Sequence, residues 1–419
     1  MRVLIINTSE RVGGAAIAAN RLMEALKKNG VRASMLVRDK QTDQMTVTAI
    51  PSSWLLPLKF VWERACIYVA NRFSKQGLFQ MDIANTGTDI VHLYEFEQAD
   101  VIHLHWVNQG FLSMADLNRI LHAGKPVVIT MHDMWYFTGI CHYAGNCTRY
   151  ESHCYKCPQL TKGGWGTDWA AKVFEQKRQM FSDVKVSFVG CSQWITNMAI
   201  RSNLTQGQFV IHIPNTINTH VFYPTDMAKV RQKWNLPADK QLILFGSQRI
   251  TDERKGFRYL AEACNIIKAS NPALADKLGI VVLGSHSDKV ESLIPFEVYP
   301  INYLSNEHEV MEMYNAVDLF VTPSLQDNLP NTIVEAMACG TPCVGFKVGG
   351  IPEMIDHKEN GYVATYKNAT DFATGIQWCL DKANHEVLCE NAHKKALNTY
   401  SEDRIARRYT DVYEMLLEQ

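Results

Sequence analysis

The chain has 419 residues, which is long for a single hydrophobic core and predicts about two domains. Its 47% hydrophobic content and net charge of -1 are typical of a globular protein, so charge gives no reason to expect a nucleic-acid partner. The apolar run from Val3 to Ile6 is too short for a signal-peptide core, and Lys59, Glu63 and Arg64 interrupt the apolar segment 54–73. We therefore expect a cytoplasmic protein without a membrane span.

Short β-branched runs alternate with helical stretches along the chain. They start at Arg2, Arg32, Val101, Pro126 and Val186 in the first half, and at Gln241, Gly279, Val317 and Thr341 in the second. Buried strands separated by helices are typical of a parallel sheet covered on both faces. The sequence thus predicts an α/β protein with two Rossmann-like, doubly wound parallel-sheet domains facing a cleft.

The alternating pattern pauses at a Pro- and Asn-rich stretch around Pro214 and Asn215. We place the domain boundary there, with an N-terminal domain over residues 1–215 and a C-terminal domain over 216–400. The last stretch, 401–419, has apolar or aromatic side chains at the spacing of one buried helical face: Ile405, Tyr409, Val412, Tyr413 and Leu416. This helix could pack on either domain, including a return to the first.

Two glycines follow the first strand, and a His-Asp pair ends a later one. Gly13 and Gly14 precede a helix of small residues, where they either let a ligand approach the backbone or form only a tight turn. The three spaced glycines of the dinucleotide fingerprint are absent from this sequence stretch, which weakens a nicotinamide-dehydrogenase interpretation. His132 and Asp133 end a predicted strand, where α/β proteins bind ligands. The histidine either hydrogen-bonds a ligand hydroxyl or has a structural role only.

Cations cluster after the first strand of the second domain. Arg249 follows that strand, and Lys255 lies six residues later, just before a helix. Two cations at a strand end beside a helix start suit a diphosphate leaving group, on which negative charge develops as a bond breaks. Solvated surface is the alternative for both, and it is the preferred interpretation for Arg254 and Arg258.

The most specific segment runs from Pro323 to Glu353. It predicts a polar loop, a helix, a Gly-Thr-Pro break, another strand and a glycine loop. Asp327 in the first loop and Glu335 in the helix are carboxylates eight positions apart that could face the same cleft. The loop and the helix N-terminus could meet hydroxyls and phosphates of a ligand.

Together these features resemble glycosyltransferase family four, a large family of retaining GT-B enzymes. The resemblance rests on the glycine pair, the His-Asp strand end, the Pro-Asn linker, the SQRITDERKGF segment and the EAMACGTPCVGFKVGGIPE segment, in the family's order over nearly the whole chain. It implies a hexosyltransferase that moves a sugar from a nucleotide-diphosphate sugar to a glycan or lipid-linked oligosaccharide acceptor in surface or exopolysaccharide biosynthesis. The N-terminal domain would hold the acceptor and the C-terminal domain the donor.

The resemblance also implies roles for individual residues. The implied catalytic residues are His132, Arg249, Lys255, Asp327 and Glu335, and the implied donor-binding residues are Gly13, Gly14, Arg249, Lys255, Asp327, Asn328, Leu329 and Glu335. Arg249 and Lys255 would bind the diphosphate, Glu335 the ribose, and His132 the transferred sugar. Asp327 replaces the first glutamate of the family's paired-glutamate motif, which keeps the charge but shortens the reach by one methylene.

No catalytic metal is expected, because in this family cationic side chains and helix ends neutralise the departing phosphate. Retention is explained in the family by front-face attack on the donor sugar. Two alternatives stay open: a nucleotide-sugar epimerase on a similar frame, and a non-catalytic sugar-nucleotide-binding protein, the latter motivated by Asp327.

Four cysteines lie close together after His132: Cys141, Cys147, Cys154 and Cys157. In a protein without an export signal, such a cluster predicts a structural zinc site that orders the loop, with His142 and His153 as substitute ligands. Free reduced thiols are the alternative.

The apolar segment that starts at Ser52 places aromatic and aliphatic residues beside Lys59, Arg64 and Arg72. It could rest peripherally on the inner face of the cytoplasmic membrane, where a lipid-linked acceptor resides. The commoner structure for such a stretch is a helix buried against its own domain.

Overall fold

The computed structural model describes residues 1–51, 54–250, 252–285 and 291–418. Ser52 and Ser53 of the apolar segment, Thr251 of the cationic segment and Gln419 at the end of the last helix lie outside these ranges. The chain divides into two compact units: Met1–Asn215 with Asp403–Gln419, and Thr216–Glu402.

In the described part of the chain, unit 1 contains a seven-stranded sheet in which every ladder is parallel. Its strands are β1 (Arg2–Ser9), β2 (Arg32–Asp39), β3 (Val47–Ala49), β4 (Val101–Leu104), β5 (Val127–Met131), β6 (Ser187–Gly190) and β7 (Phe209–His212). The order is β3-β2-β1-β4-β5-β6-β7, so the chain reverses its direction of winding between β1 and β4. Ligands bind doubly wound sheets at such a switch point.

The helices of unit 1 before the linker connect these strands. They are α1 (Gly14–Lys28), α2 (Leu55–Ala70), α3 (Tyr94–Gln98), α4 (Met114–Leu121), α5 (Trp169–Ser182) and α6 (Gln193–Arg201), with short 3-10 turns at Trp135–Phe137, Arg149–Glu151, Thr161–Gly163 and Asn203–Thr205. Side-chain hydrogen bonds cap the first turns of several of these helices. The Ser113 hydroxyl accepts the Asp116 amide at the start of α4, while the Asp116 carboxylate accepts the Ser113 amide.

Unit 2 repeats the design with six strands among the residues described. They are β8 (Gln241–Arg249), β9 (Leu278–Ser285), β10 (Glu297–Ile301), β11 (Leu319–Thr322), β12 (Cys343–Phe346) and β13 (Gly361–Ala364), all parallel in the order β10-β9-β8-β11-β12-β13. The helices are α7 (Met227–Lys233), α8 (Phe257–Ser270), α9 (Pro272–Ala275), α10 (Glu307–Asn315), α11 (Asn331–Ala338), α12 (Ile351–Met354), α13 (Ala369–Leu380) and α14 (Lys382–Tyr400). The switch point lies between β8 and β11.

The last helix, α15 (Glu402–Leu417), returns to unit 1. Its side chains Ile405, Tyr409 and Tyr413 are buried in one core with residues of the central strands. The Tyr413 hydroxyl bonds His103 Nδ1 at 2.8 Å, and His103 Nε2 bonds Thr130 Oγ1 at 2.7 Å. The packing of an apolar helical face and the pairing of buried polar groups therefore both tie α15 to this sheet.

The predicted fold class, an α/β protein with two Rossmann-like parallel sheets, is confirmed. All nine strands predicted from the sequence are present, and the structure adds β3, β7, β10 and β13. Across the residues described, no helix is both long enough and apolar enough to cross a membrane.

Removal of the Tyr413 hydroxyl should destabilise unit 1, because it leaves a buried imidazole nitrogen of His103 without this partner. We expect Tyr413→Phe to cost roughly 1–3 kcal/mol in free energy of unfolding. Tyr94→Phe is the control, since Tyr94 is 72% exposed and should change stability little. Equal denaturant midpoints for the two variants would contradict the role given to this hydrogen bond.

Candidate functional site

The switch point of unit 1 contains the start of helix α1, which two glycines form. Gly13 has φ +94° and ψ 159°, a conformation that side chains rarely adopt, and a Cβ atom there would meet no atom within 4 Å. Helix α1 starts at Gly14, and neither a capping side chain nor an acidic residue accompanies its described first turn. Gly13 thus leaves space beside its backbone in which a ligand could approach the start of α1.

His132 lies immediately after β5, as the sequence predicts. Its Nε2 atom bonds His105 Nδ1 at 2.8 Å, and its Nδ1 atom lies 3.5 Å from the Cys191 sulfur. Burial lowers the pKa of His132 to about 4, so the imidazole is neutral near pH 7. A neutral imidazole can donate one hydrogen bond and accept another, which suits contact with a hydroxyl group.

Asp133 belongs to a buried chain of charges that the sequence did not predict. His142 donates from Nδ1 to Asp133 at 2.7 Å and from Nε2 to Asp82 at 2.6 Å. Burial alone would lower the pKa of His142, but the two carboxylates raise it to about 10, so this imidazole is charged. Asp133 also accepts hydrogen bonds from the Trp106 indole and the Trp135 amide. These buried side-chain contacts hold Asp133, the residue next to His132, in place.

The proposed use of His142 as a substitute zinc ligand is therefore wrong, because carboxylates occupy both of its ring nitrogens. The sequence offered one signal for the His142–Asp133 pair, because the histidine lies nine positions after Asp133 in the same segment. Asp82, however, is 60 positions from His142, and only the tertiary fold brings the two together.

In unit 2, Lys255 and Asp327 form an ion pair beside the switch point. Lys255 Nζ lies 2.7 Å from Asp327 Oδ2, and the side chains are 23% and 12% exposed. Burial of Asp327 would raise its pKa, but Lys255 and Arg254 lower it, so the carboxylate is ionised. Arg249 lies at the exposed end of β8, six residues before Lys255. Asp252, Glu253 and Asp327 balance these three cations in formal charge, so an anion would meet individual cationic side chains here rather than a net positive charge.

Arg254 is not simply solvated, contrary to the sequence-based interpretation. Its Nη1 atom donates to the Gln326 carbonyl at 3.0 Å and lies 4.0 Å from Asp327 Oδ2. Arg258 instead bonds the hydroxyl of neighbouring Tyr259 at 2.9 Å. The loop that carries Asp327 therefore has a second cationic partner, which only the structure identifies.

Close backbone contacts fix these loops. A Cβ at Gly256 would lie 1.9 Å from the Pro323 carbonyl oxygen, and one at Gly349 would lie 1.7 Å from the Asp327 carbonyl oxygen. The Gly350 amide donates to the Asn328 carbonyl at 2.9 Å. Because glycine alone permits these approaches, the loops after β8, β11 and β12 pack on one another.

Helix α11 follows the Asp327 loop. Asn328 and Leu329 are buried, and the N-cap residue Pro330 supplies no side-chain hydrogen bond to the helix. Glu335 is buried in the second turn and accepts a hydrogen bond from the Tyr314 hydroxyl at 3.0 Å. The two predicted carboxylates thus have different partners, Lys255 for Asp327 and Tyr314 for Glu335.

The four clustered cysteines, Cys141, Cys147, Cys154 and Cys157, line one cavity of about 20 Å³ and are free thiols. Burial raises the pKa of Cys154 to about 11. Over residues 1–51, 54–250, 252–285 and 291–418, no three His, Cys, Asp or Glu side chains are grouped so that they could hold a metal ion. The structural zinc site stays a prediction from the sequence, and metal analysis of the purified protein would test it.

Family models match both parts of the chain. Residues 12–173 match the model described as Glycosyltransferase Family 4, and residues 239–382 match the model described as Glycosyl transferases group 1. The chain belongs to the group 1, family 4 glycosyltransferases. The family predicted from the sequence is confirmed, and the loops described above lie within or beside the matched regions.

Two curated relatives are similar over different lengths. A putative colanic acid biosynthesis glycosyl transferase from Escherichia coli is 22% identical over 75% of this chain and 76% of its own. An N,N'-diacetylbacillosaminyl-diphospho-undecaprenol alpha-1,3-N-acetylgalactosaminyltransferase from Campylobacter jejuni is 28% identical over 48% of this chain and 53% of its own. The chain matches about half the length of this and two other relatives.

Solved structures of other glycosyltransferases share the fold. Sucrose-phosphate synthase from Thermosynechococcus elongatus aligns with a TM-score of 0.66 and 18% identity over 100% of this chain and 99% of its own. Anabaena HepE in complex with UDP and glucose aligns with a TM-score of 0.63 and 16% identity over 99% and 100%. This family 4 glycosyltransferase therefore has the GT-B fold that its sequence predicts.

Arg254 and Arg258 provide a matched pair for testing the cationic loop. We expect Arg254→Ala to raise the Michaelis constant for the nucleotide-sugar donor by about tenfold, because a charged hydrogen bond to the Asp327 loop is lost. Arg258→Ala should leave it nearly unchanged, since Arg258 contacts Tyr259 instead. Equal donor Michaelis constants for the two variants would show that the contact of Arg254 with the Asp327 loop does not contribute to donor binding.

Proposed function

We propose that this glycosyltransferase is a retaining hexosyltransferase that transfers a sugar from a nucleotide-diphosphate sugar to a glycan or lipid-linked oligosaccharide. Unit 2 would bind the donor and unit 1 the acceptor, in the biosynthesis of a surface polysaccharide or exopolysaccharide. The enzyme would work in the cytoplasm, peripherally at the inner face of the cytoplasmic membrane. Retention and the hexosyl class are supported by the family resemblance.

The cationic loop of unit 2 carries the proposal. Lys255 and Arg254 both approach Asp327, and Arg249 lies at the exposed end of the same connection. A departing nucleoside diphosphate gains negative charge as its bond to the sugar breaks, so fixed cations lower the energy of the transition state more than that of the bound substrate. The carboxylate of Asp327 orients Lys255, and no side chain caps the described start of helix α11 nearby.

Glu335 and the loop residues complete the proposed donor site. Glu335 would bind the ribose hydroxyls, and its hydrogen bond from Tyr314 would orient it. Asn328 and Leu329 would contact the donor beside Asp327. Gly13 and Gly14 would lie against the donor at the start of α1, where the open space beside Gly13 allows a ligand to approach.

His132 would hydrogen-bond the transferred sugar. Its low pKa favours a neutral ring, and its contact with the Cys191 sulfur is the weaker of its two contacts given above. A sugar hydroxyl could replace that sulfur at a small energetic cost, since thiols are weak hydrogen-bonding groups. His105 would keep the ring oriented through Nε2.

The relatives support the substrate classes. HepE was solved with UDP and glucose, the Campylobacter jejuni relative is named for a diphospho-undecaprenol acceptor, and the Escherichia coli relative is assigned to colanic acid biosynthesis. These names support a nucleotide-diphosphate donor and a glycan or lipid-linked acceptor for this chain.

A donor panel tests the proposal. The purified protein is titrated with UDP-, GDP- and ADP-sugars while thermal unfolding and release of the nucleoside diphosphate are measured. We expect one base to stabilise the protein selectively, and a sugar acceptor to accelerate release. Stabilisation without turnover would indicate a non-catalytic binding protein, and an altered sugar without any acceptor would indicate an epimerase. Absence of stabilisation by every donor would contradict the proposed donor site.

A further inference from the structure

Helix α2 of unit 1 exposes a broad apolar face while it buries two charged residues. Its charged residues Glu63 and Arg64 are buried, at 0% and 6% exposure. Large apolar side chains cover its outer face at helical spacing: Trp54 just before the helix, then Leu55, Leu58, Val61, Trp62 and Val69, with exposures between 42% and 78%. The inner face also buries Ile67 and Ala70 in the core of unit 1, so the helix packs against its own domain and leaves a second, apolar face exposed.

Buried ion pairs hold α2 in this orientation. Arg64 pairs with Asp82 and lies 3.3 Å from the Glu63 carboxylate. Glu63 accepts the backbone amides of Ile83 and Ala84 at 3.0 and 2.7 Å. Rotation of the helix to bury the apolar stripe would bring these charges to the surface and break their pairs, so the stripe is a fixed feature of the fold.

Exposed aromatic residues extend the stripe beyond the helix. The rings of Phe73 and Trp165 lie 6.2 Å apart, and Arg64 lies 5.8 Å from the ring of Phe79. All three aromatic side chains are more than half exposed. We call the residues Trp54, Leu55, Leu58, Val61, Trp62, Val69, Phe73, Phe79 and Trp165 the α2 surface.

The charges along this segment have one sign at the surface. Between residues 54 and 79 the acidic residue is Glu63, which is buried, whereas Arg72 and Lys75 are exposed next to the aromatic residues. Apolar and aromatic side chains flanked by cations match the boundary of an anionic bilayer, in which rings lie at headgroup depth and cations meet phosphates.

We propose that the α2 surface docks unit 1 on an anionic phospholipid bilayer. This docking rests on the peripheral membrane location in the proposed function and names the surface that would provide it. Asp82 bonds both Arg64 of α2 and His142, and His142 bonds Asp133 beside His132, so docking would hold the proposed sugar contact near the lipid through a chain of direct contacts.

Vesicle sedimentation of the full chain tests this docking. We expect the wild-type protein to sediment with vesicles of phosphatidylethanolamine and phosphatidylglycerol, and more weakly with phosphatidylcholine alone. Leu58→Glu combined with Val61→Glu should weaken binding by about tenfold or more, because two carboxylates enter the apolar contact. Val387→Glu is the matched control, since Val387 lies on α14 and is 59% exposed, as against 57% for Val61. Arg72→Glu with Lys75→Glu should remove the preference for phosphatidylglycerol.

The outcomes are distinct from those of the donor panel. Wild-type protein that stays in the supernatant with both vesicle types would overturn the proposal, as would equal binding by the Leu58→Glu, Val61→Glu variant. Light scattering that shows a dimer in the wild type and a monomer in that variant would assign the surface to a second copy of the chain. Donor-induced thermal stabilisation should be the same in all these variants, so failure of donor binding would be seen separately.

Discussion

Lys255→Ala should reduce kcat/KM for sugar transfer by about 10²–10³-fold, the effect of removing a fixed charge from a developing anion. The loss should fall on kcat as well as on donor affinity, because the charge on the diphosphate increases in the transition state. Initial rates over a range of donor concentrations measure both parameters.

Lys240→Ala is the control for Lys255→Ala. Lys240 pairs with Glu297 at 2.5 Å in the same unit, and the Glu297 side chain is 57% exposed, so its removal should change neither turnover nor stability greatly. Thermal unfolding of the Lys255 variant is measured in parallel, since Asp327 loses its 2.7 Å partner. A folded Lys255→Ala protein with near-normal turnover and an unchanged donor Michaelis constant would contradict the proposed role.

His142→Ala should destabilise unit 1 by about 3–5 kcal/mol, because it leaves the buried carboxylates of Asp82 and Asp133 without the cation between them. Chemical denaturation followed by tryptophan fluorescence measures the loss. His122→Ala is the control, since the exposed His122 bonds only a nearby backbone carbonyl among its given contacts and should cost about 0.5 kcal/mol at most. Similar midpoints for the two variants would show that the buried charges do not depend on His142.

The same histidine predicts a pH dependence of stability. Its pKa is about 10 in the folded protein and 6.5 in the unfolded reference, so the folded state binds the proton more tightly. The contribution of protonated His142 to the free energy of unfolding is fully present below pH 6.5 and is lost as the pH rises towards 10. Wild-type stability should therefore fall over this range more steeply than that of His142→Gln. Parallel pH profiles would contradict the assignment.

The fold could be predicted because its signals are local. Runs such as Val3–Ile6 are apolar enough to be buried regardless of which helix packs on them. Because such strands alternate with helices along the chain, the sequence favours a doubly wound parallel sheet. The switch points follow from strand order, which places the segments after β1, β5, β8 and β11 at ligand-binding edges.

Side-chain partners could be predicted only in part. The sequence indicates that Lys255 and Asp327 belong to one site, but it does not show that they pair, because 72 positions separate them. Arg254 and Arg258 lie four positions apart, yet one turns to the Asp327 loop and the other to Tyr259. Such choices depend on the path of neighbouring loops, which no local pattern encodes.

The sequence by itself determined nine of the thirteen described strands, their alternation with helices, the family and the positions of the candidate site residues, because hydrophobic periodicity and short motifs are properties of neighbouring residues. Only the tertiary structure decided that α15 joins unit 1, that His142 bridges two carboxylates, and that α2 turns its apolar face outward. Each of these depends on free energies of burial and charge pairing between distant segments. For α2, Glu63 and Arg64 find their buried partners around Asp82, and the apolar stripe on the opposite face stays exposed to water.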